Sequence, residues 1–353
     1  MKIVNIKYIT FGLLVAICTL SSCVKEYEYN EGALPPDYEE VLPVLPIDTV
    51  GLPTNLKGYS YIIPRVHTSD GRIYVKGNPP MYTDTAKYHV VSVPYNLSDT
   101  TLFDLQSYYA SAVGKKGDDL KSAIAAIIIA DYKGVSYGDA RYVLEDADND
   151  PVSGDTWCFY NEMTGEAKWD SGETWNREHV WAQSRGLRPE GGSNADNSTI
   201  SIASDIHNLK AENPSVNSTK SNRDFESNAD ADFYGTHGVY SYVPMTSARG
   251  DVARIMFYME LRWADASGLY LDDLSENSSN SGDGGPARQG RVSSLVDWHS
   301  IDPVDPFEVR RNNIVYKHQN NRNPFVDHPE LVDHIYGDKQ DVAWDGGVVY
   351  SIN

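Results

Sequence analysis

Three consecutive residues of this sequence, Arg177, Glu178 and His179, bring together an arginine, a carboxylate and an imidazole, within Thr174-Trp175-Asn176-Arg177-Glu178-His179-Val180-Trp181. Phosphodiester hydrolysis needs a cation for the phosphate, a hard oxygen ligand for a divalent metal, and a base that titrates near neutral pH. Two downstream segments are rich in neutral oxygen ligands: Ser204-Asp205-Ile206-His207-Asn208-Leu209 and Asn213-Pro214-Ser215-Val216-Asn217-Ser218-Thr219-Lys220-Ser221-Asn222. Asn217 is the candidate second ligand. An amide oxygen beside a carboxylate makes an oxygen-only site, which suits Mg²⁺, Mn²⁺ or Ca²⁺ over Zn²⁺. The pattern predicts a metal-dependent nuclease.

Glu178 and His179 are neighbours, and on a regular strand neighbouring side chains point to opposite faces. The spacing therefore places metal and base on opposite sides of a phosphorus, not on one pocket wall. A zinc-protease pattern is excluded, because Arg177 precedes the glutamate and Gln183 stands four residues after His179. Asp205 reads as a helix N-cap, with His207 and Asn208 as supporting residues, the histidine structural. Asp146-Ala147-Asp148-Asn149-Asp150 lacks the glycine and terminal glutamate of a calcium loop and reads as a solvated acidic turn. Cys158, among Trp157, Phe159 and Tyr160, reads as a buried structural thiol.

Composition is that of a globular protein, with 41% hydrophobic and 23% charged residues among 353. The net charge of -20 is unusual for a nucleic-acid binder, whose affinity comes largely from phosphate neutralisation. The charge is uneven, however. Between 177 and 223, Arg177, Arg185, Arg188, Lys210, Lys220 and Arg223 face Glu178, Glu190, Asp196, Asp205 and Glu212. A bound divalent cation would turn this near-neutral stretch positive. The expected binding is weak, salt-sensitive and transient.

The elements around these residues divide the chain. Residues 1–22 read as an export signal, with basic Lys2 and Lys7, the short apolar run Ile9 to Leu20, and Leu20-Ser21-Ser22-Cys23. That ending resembles a bacterial lipobox, which makes Cys23 the lipidated residue and the membrane a partner. Residues 23–56 are acidic and proline-punctuated and read as a tether. Residues 57–100 hold three strand candidates, Tyr59–Ile63, Arg72–Val75 and Lys87–Val93, with a turn at Ser69-Asp70-Gly71. Residues 101–353 form the candidate catalytic domain. Helical spacing begins at Leu102, Leu105 and Tyr108, and further helices are predicted over Asp118–Ile124, Gly250–Trp263 and Asp327–Ile335. Ser275–Gly290 reads as a flexible loop. The fold class is α+β, mostly helical with short strands around the motif.

At these residues the chain resembles the endonuclease I family of bacterial secreted and periplasmic nucleases, within the ββα-metal (His-Me finger) superfamily. The resemblance runs in order through Asn176–Trp181, Asp205–Leu209, Val216-Asn217, Arg249–Arg254 and Asn321–Glu330. It implies a ββα-metal core with His179 as general base and Glu178 with Asn217 on one Mg²⁺ or Ca²⁺. The implied products are 5′-phosphate and 3′-hydroxyl ends on DNA, and often RNA, with little sequence preference. It also implies an arginine that steadies the phosphate, for which Arg185 and Arg188 are both candidates. Lys220, where the family commonly has arginine, and Asn222 are supporting residues. Rival readings are a phosphodiesterase acting on small nucleotides and a surface binding lipoprotein with a degenerate nuclease domain. No protein partner is inferred.

Overall fold

The computed structural model describes residues 105–150, 154–160, 163–188, 192–228, 230, 233–273 and 287–347, and the backbone of four N-terminal strands. Those strands are β1 (Val24–Glu28), β2 (Ser60–His67), β3 (Ile73–Val75) and β4 (Lys87–Pro94), in antiparallel order β1-β4-β2-β3. Three coincide with the expected strands. The fourth, β1, falls where a tether is expected and pairs Val24 with Val91 and Tyr27 with Tyr88. The export leader, Cys23, the turn at Ser69-Asp70-Gly71, and most of the serine- and glycine-rich loop lie outside the described residues.

From residue 105 onward the chain is a mixed α and β assembly. Helices α1 (Leu105–Tyr109) and α2 (Gly117–Ala130) come first. Leu120, Ile124 and Ile128 of α2 are fully buried at every fourth position, one stripe of the helix. Each such side chain contributes about 1.5–3 kcal/mol. Helix α3 (Tyr137–Ala147) starts at Ser136, whose hydroxyl accepts the Asp139 N–H. Two short strands follow, β5 (Thr156–Trp157) and β6 (Thr164–Gly165), paired antiparallel.

The next three elements form a compact unit. Strand β7 (Asn176–His179) pairs antiparallel with β8 (Leu209–Glu212), and helix α4 (Pro214–Lys220) follows directly. Asn213 caps α4 through its side-chain oxygen, and Pro214 sits in the first turn, where its missing N–H costs nothing. Strands β9 (Asp224–Phe225), β10 (Gly235–His237) and β11 (Ser241–Val243) make a small mixed sheet.

Helix α5 (Arg249–Ser267) is buried almost all round, with Val252, Ala253, Met256, Phe257, Tyr258 and Met259 in the main core. It stops at left-handed Gly268, whose N–H returns to Ala264 O. Strands β12 (Tyr270–Asp272) and β13 (Arg288–Arg291) pair, and helices α6 (Val292–Ile301) and α7 (Pro306–Gln319) follow. Arg288–Gly290 is thus strand, where a loop is expected. The predicted helix over Asp327–Ile335 is two short ones, α8 (Pro324–Asp327) and α9 (Leu331–Ile335). Pro329 has no N–H for a continuous helix, so the chain breaks there.

A second, smaller core packs Ala140, Val143 and Leu144 of α3 and Ile314 and Val315 of α7 against Trp175, Leu209 and Ala211 of the hairpin. Val180 and Trp181, just beyond β7, enter the main core. The hairpin is therefore clamped between two cores, which fixes its end in space.

Candidate active site

Hydrogen bonds hold the end of β7 in a set geometry. Asn208 is fully buried; its Oδ1 accepts the Trp181 N–H at 2.7 Å and its Nδ2 donates to Trp181 O at 3.0 Å. Val180 N donates to Asn208 O, so the asparagine extends the β7–β8 ladder beyond the last strand residue. His207 lies away from this, buried against Tyr258 with Nε2 3.2 Å from Asn321 O. Burial pulls its pKa down to about 4. Both residues shape the scaffold, and neither lines the cavity described next. Asp205 is not a helix N-cap but a buried acceptor hub for Tyr258 Oη, Trp263 Nε1, Gln319 Nε2 and the His207 N–H.

A cavity of about 320 Å³ opens at the end of β7, with Arg177, Glu178, His179, Gln183, Arg188 and Asn217 in its wall. Glu178 and His179 therefore share one pocket, contrary to strand alternation. The strand ends at His179, so the cavity wraps its end and reaches both faces. His179 Nε2 lies 2.7 Å from Ala203 O. A carbonyl only accepts, so Nε2 carries the proton and Nδ1 is the basic nitrogen. Gln183 accepts the Ala195 N–H through Oε1, which turns its Nε2 toward Nδ1 at 3.4 Å. The Tyr137 ring packs 5.3 Å from the imidazole. Burial lowers the His179 pKa to about 4, so the ring is neutral at neutral pH.

Glu178 is buried, and its Oε1 receives Tyr160 Oη at 2.8 Å and Lys220 Nζ at 2.9 Å. Burial raises its pKa despite the lysine, and lowers that of Lys220 despite the carboxylate. Asn217 Nδ2 donates to Asn176 Oδ1 at 2.7 Å, so that bond occupies the amide nitrogen and not the carbonyl oxygen. Arg177 stacks on the Tyr137 ring at 3.7 Å and donates to Tyr137 O.

The other sequence candidates separate clearly. Arg188 is in the cavity wall, whereas Arg185 is fully buried and donates to Asn222 O through Nε and Nη2. Lys220 is also fully buried and does not face phosphate: its ammonium donates to His179 O, Val180 O and Glu178 Oε1, which uses all three protons. Asn222 lines the rim and donates to Ser184 Oγ. Before it, Ser221 holds φ 52°, an uncommon non-glycine conformation that costs about 1–3 kcal/mol. Of the six cations between 177 and 223, Arg185, Lys210 and Lys220 are interior.

The acidic run at 146–150 is not wholly solvated either. Asp148 is fully buried, held by Arg311 Nε at 2.7 Å, Lys210 Nζ at 3.3 Å and the Ala211 N–H. Arg311 holds its carboxyl below the usual range. This ties α3 and α7 to the back of β8. The Arg249–Arg254 and Asn321–Glu330 segments are likewise structural. Arg254 pairs with Glu308, Arg322 pairs with Asp327, and a Cβ on Gly250 would collide with Asp302 O. Cys158 is a buried free thiol. Sequence reasoning missed Tyr137, which no motif marks, and gave no role to Gln183.

Comparison with known proteins places the chain in a family. The endonuclease I family profile matches residues 116–330. An extracellular ribonuclease of Bacillus amyloliquefaciens is 38% identical over 241 residues, 66% of this chain and 79% of the relative. A protein of the same name from Bacillus subtilis (strain 168) is 37% identical with the same coverage.

Proposed function

From its membership of the endonuclease I family, we propose that this nuclease is an exported, single-metal, His-Me finger endonuclease that cleaves RNA and DNA with little sequence preference. Its products would carry 5′-phosphate and 3′-hydroxyl ends. The observation that carries the reading is the convergence of His179, Glu178, Asn217 and Arg188 on one cavity at the end of a ββα unit. RNA comes first because both relatives are named ribonucleases.

His179 Nδ1 takes the proton from the attacking water, and Ala203 O, bonded to Nε2, steadies the imidazolium that results. Tyr137 and Gln183 keep the ring in that orientation. Arg188, with Arg177 beside it, meets the non-bridging phosphate oxygens. Glu178 and Asn217 would hold the divalent ion. The donor set fits one: Glu178 and Asn217, each carrying a hard side-chain oxygen, line the same cavity, and Glu178 Oε1 is already committed to Lys220 and Tyr160, so Oε2 would be the ligand. No group of three His, Cys, Asp or Glu is gathered among the described residues. So small a set of protein ligands would suit Mg²⁺, which dehydrates reluctantly. When bound, it would neutralise charge developing on the phosphate and leaving oxygen. Nothing in this scheme uses a ribose 2′-hydroxyl, so DNA is cleaved as RNA is.

The test uses RNA and DNA strands of one sequence, with Mg²⁺ or EDTA, and mass analysis of product ends. Both strands should yield 5′-phosphates with Mg²⁺ and stay intact in EDTA. A 2′,3′-cyclic phosphate from RNA beside untouched DNA would overturn the mechanism. Glu178→Ala and Asn217→Ala should each raise the Mg²⁺ concentration for half-maximal activity. An unchanged value in either removes that residue from the metal.

Localisation belongs to the same reading. The relatives are named extracellular, and no helix among the described residues is long and apolar enough to cross a membrane. We place the protein outside the cytoplasm, held to the bacterial outer membrane by lipid on Cys23. Cys23→Ala should move it from the membrane to the soluble fraction; retention would mean that the apolar leader is the anchor.

A further inference from the structure

A second cavity, of about 180 Å³, adjoins the first, and the two share Ser221 and Asn222. Its remaining wall is Arg223, Val239 and Tyr240. We propose that this second cavity is a nucleotide subsite, in which the base next to the scissile phosphate stacks on Tyr240 and Val239 while Arg223 meets its phosphate. The proposal rests on the nuclease reading above and names residues through which that site would hold its strand.

Continuity is the first argument. A strand whose phosphate lies against His179 and Arg188 must leave the catalytic cavity, and the second cavity meets it at Ser221-Asn222. Charge is the second. In a chain of net charge -20, no carboxylate among the described residues lines the second cavity, and Glu178 is the one described carboxylate in the wall of the first. A wall with so little fixed negative charge among its described residues suits a polyanion. Chemistry is the third. An aromatic ring beside an arginine is the combination that holds single strands without reading sequence, because every base has a π-face.

The subsite is rigidly built. Tyr240 O accepts the Asp224 N–H, and Arg223 O accepts from Gln289 Nε2, so the backbones of two residues of the cavity wall are fixed. Arg223 Nη1 also caps the end of α4 by donating to Thr219 O at 2.5 Å. Val239 is 67% exposed, so an apolar side chain stands in solvent at the mouth, where a base would cover it.

The experiment compares kcat/KM for a single-stranded tetranucleotide with that for a p-nitrophenyl nucleotide ester, which spans only the catalytic cavity. In Tyr240→Ala the ratio should fall roughly tenfold, the scale of one lost base–aromatic stack. Tyr240→Phe should keep the wild-type ratio. Val239→Glu, at an exposed position that does not risk folding, should lower it by placing a carboxylate at the mouth. A ratio unchanged in both Tyr240→Ala and Val239→Glu overturns the subsite while leaving the nuclease reading intact. A wild type that cleaves neither substrate overturns the nuclease reading. Binding of a fluorescent tetranucleotide to His179→Ala, with and without Tyr240→Ala, then reads the subsite independently: about tenfold weaker binding supports it, and equal binding overturns it.

Discussion

His179→Ala should lower kcat by roughly 10²–10⁴-fold, the usual contribution of a positioned general base. The Mg²⁺ concentration for half-maximal activity should stay as it is, because the imidazole supplies no ligand in this site. KM should change little, since the proposed phosphate contacts are Arg188 and Arg177, which also line the cavity. The variant will not be thermodynamically silent. The ring is only 7% exposed, packs on Tyr137, and satisfies Ala203 O. Leaving that carbonyl without a partner costs about 1–3 kcal/mol, which lowers the melting temperature without preventing folding. Steady-state kinetics and a thermal melt on the same preparation separate the two effects. Turnover within a few-fold of wild type would remove His179 from the chemistry.

The candidate base and its neighbours are legible in sequence because Arg177-Glu178-His179 is a contiguous signal, and Asn217 lies in the first turns of the helix that follows the recognisable Asn213-Pro214 turn. What sequence cannot reveal is burial. Arg185 and Arg188 are three residues apart in one turn, and only the packing of that turn sends the first inward to Asn222 O and leaves the second in the cavity wall. Asp148 sits in a run of acids that looks solvated, yet Arg311 and Lys210 reach it from distant parts of the chain. Strand alternation misplaced Glu178 and His179 relative to one another because it describes the middle of a strand, and these residues form its end. The helix at Asp327–Ile335 has the right residue types, but Pro329 interrupts it. The first two failures arise where long-range packing overrides a local pattern, the third at a strand end, and the fourth at a proline.

Lys220 gives the sharpest contrast between the two readings of one residue. As a phosphate contact, its loss would weaken substrate binding and leave stability nearly unchanged. In the structure its ammonium joins the end of α4 to the end of β7 and neutralises Glu178, with no exposed surface. Lys220→Ala strips the partner from a buried carboxylate and leaves two backbone carbonyls unpaired. Removing one side of a buried ion pair costs about 3–5 kcal/mol. The loss should be read as a lower denaturation midpoint at unchanged slope. Replacing both charges, Lys220→Met with Glu178→Gln, should recover much of it, because no uncompensated charge then remains in the interior. Salt dependence supplies the opposing readout. With Arg177, Arg188 and Arg223 as the contacts, log K for a duplex against log salt should have a slope of about -2.7, at roughly -0.9 for each phosphate neutralised. That slope, measured on His179→Ala protein with divalent metal present, should not move when Lys220→Ala is added under conditions where the double variant is folded. A variant as stable as its parent, with a slope shallower by about 1, would return Lys220 to the phosphate and make the internal bridge incidental.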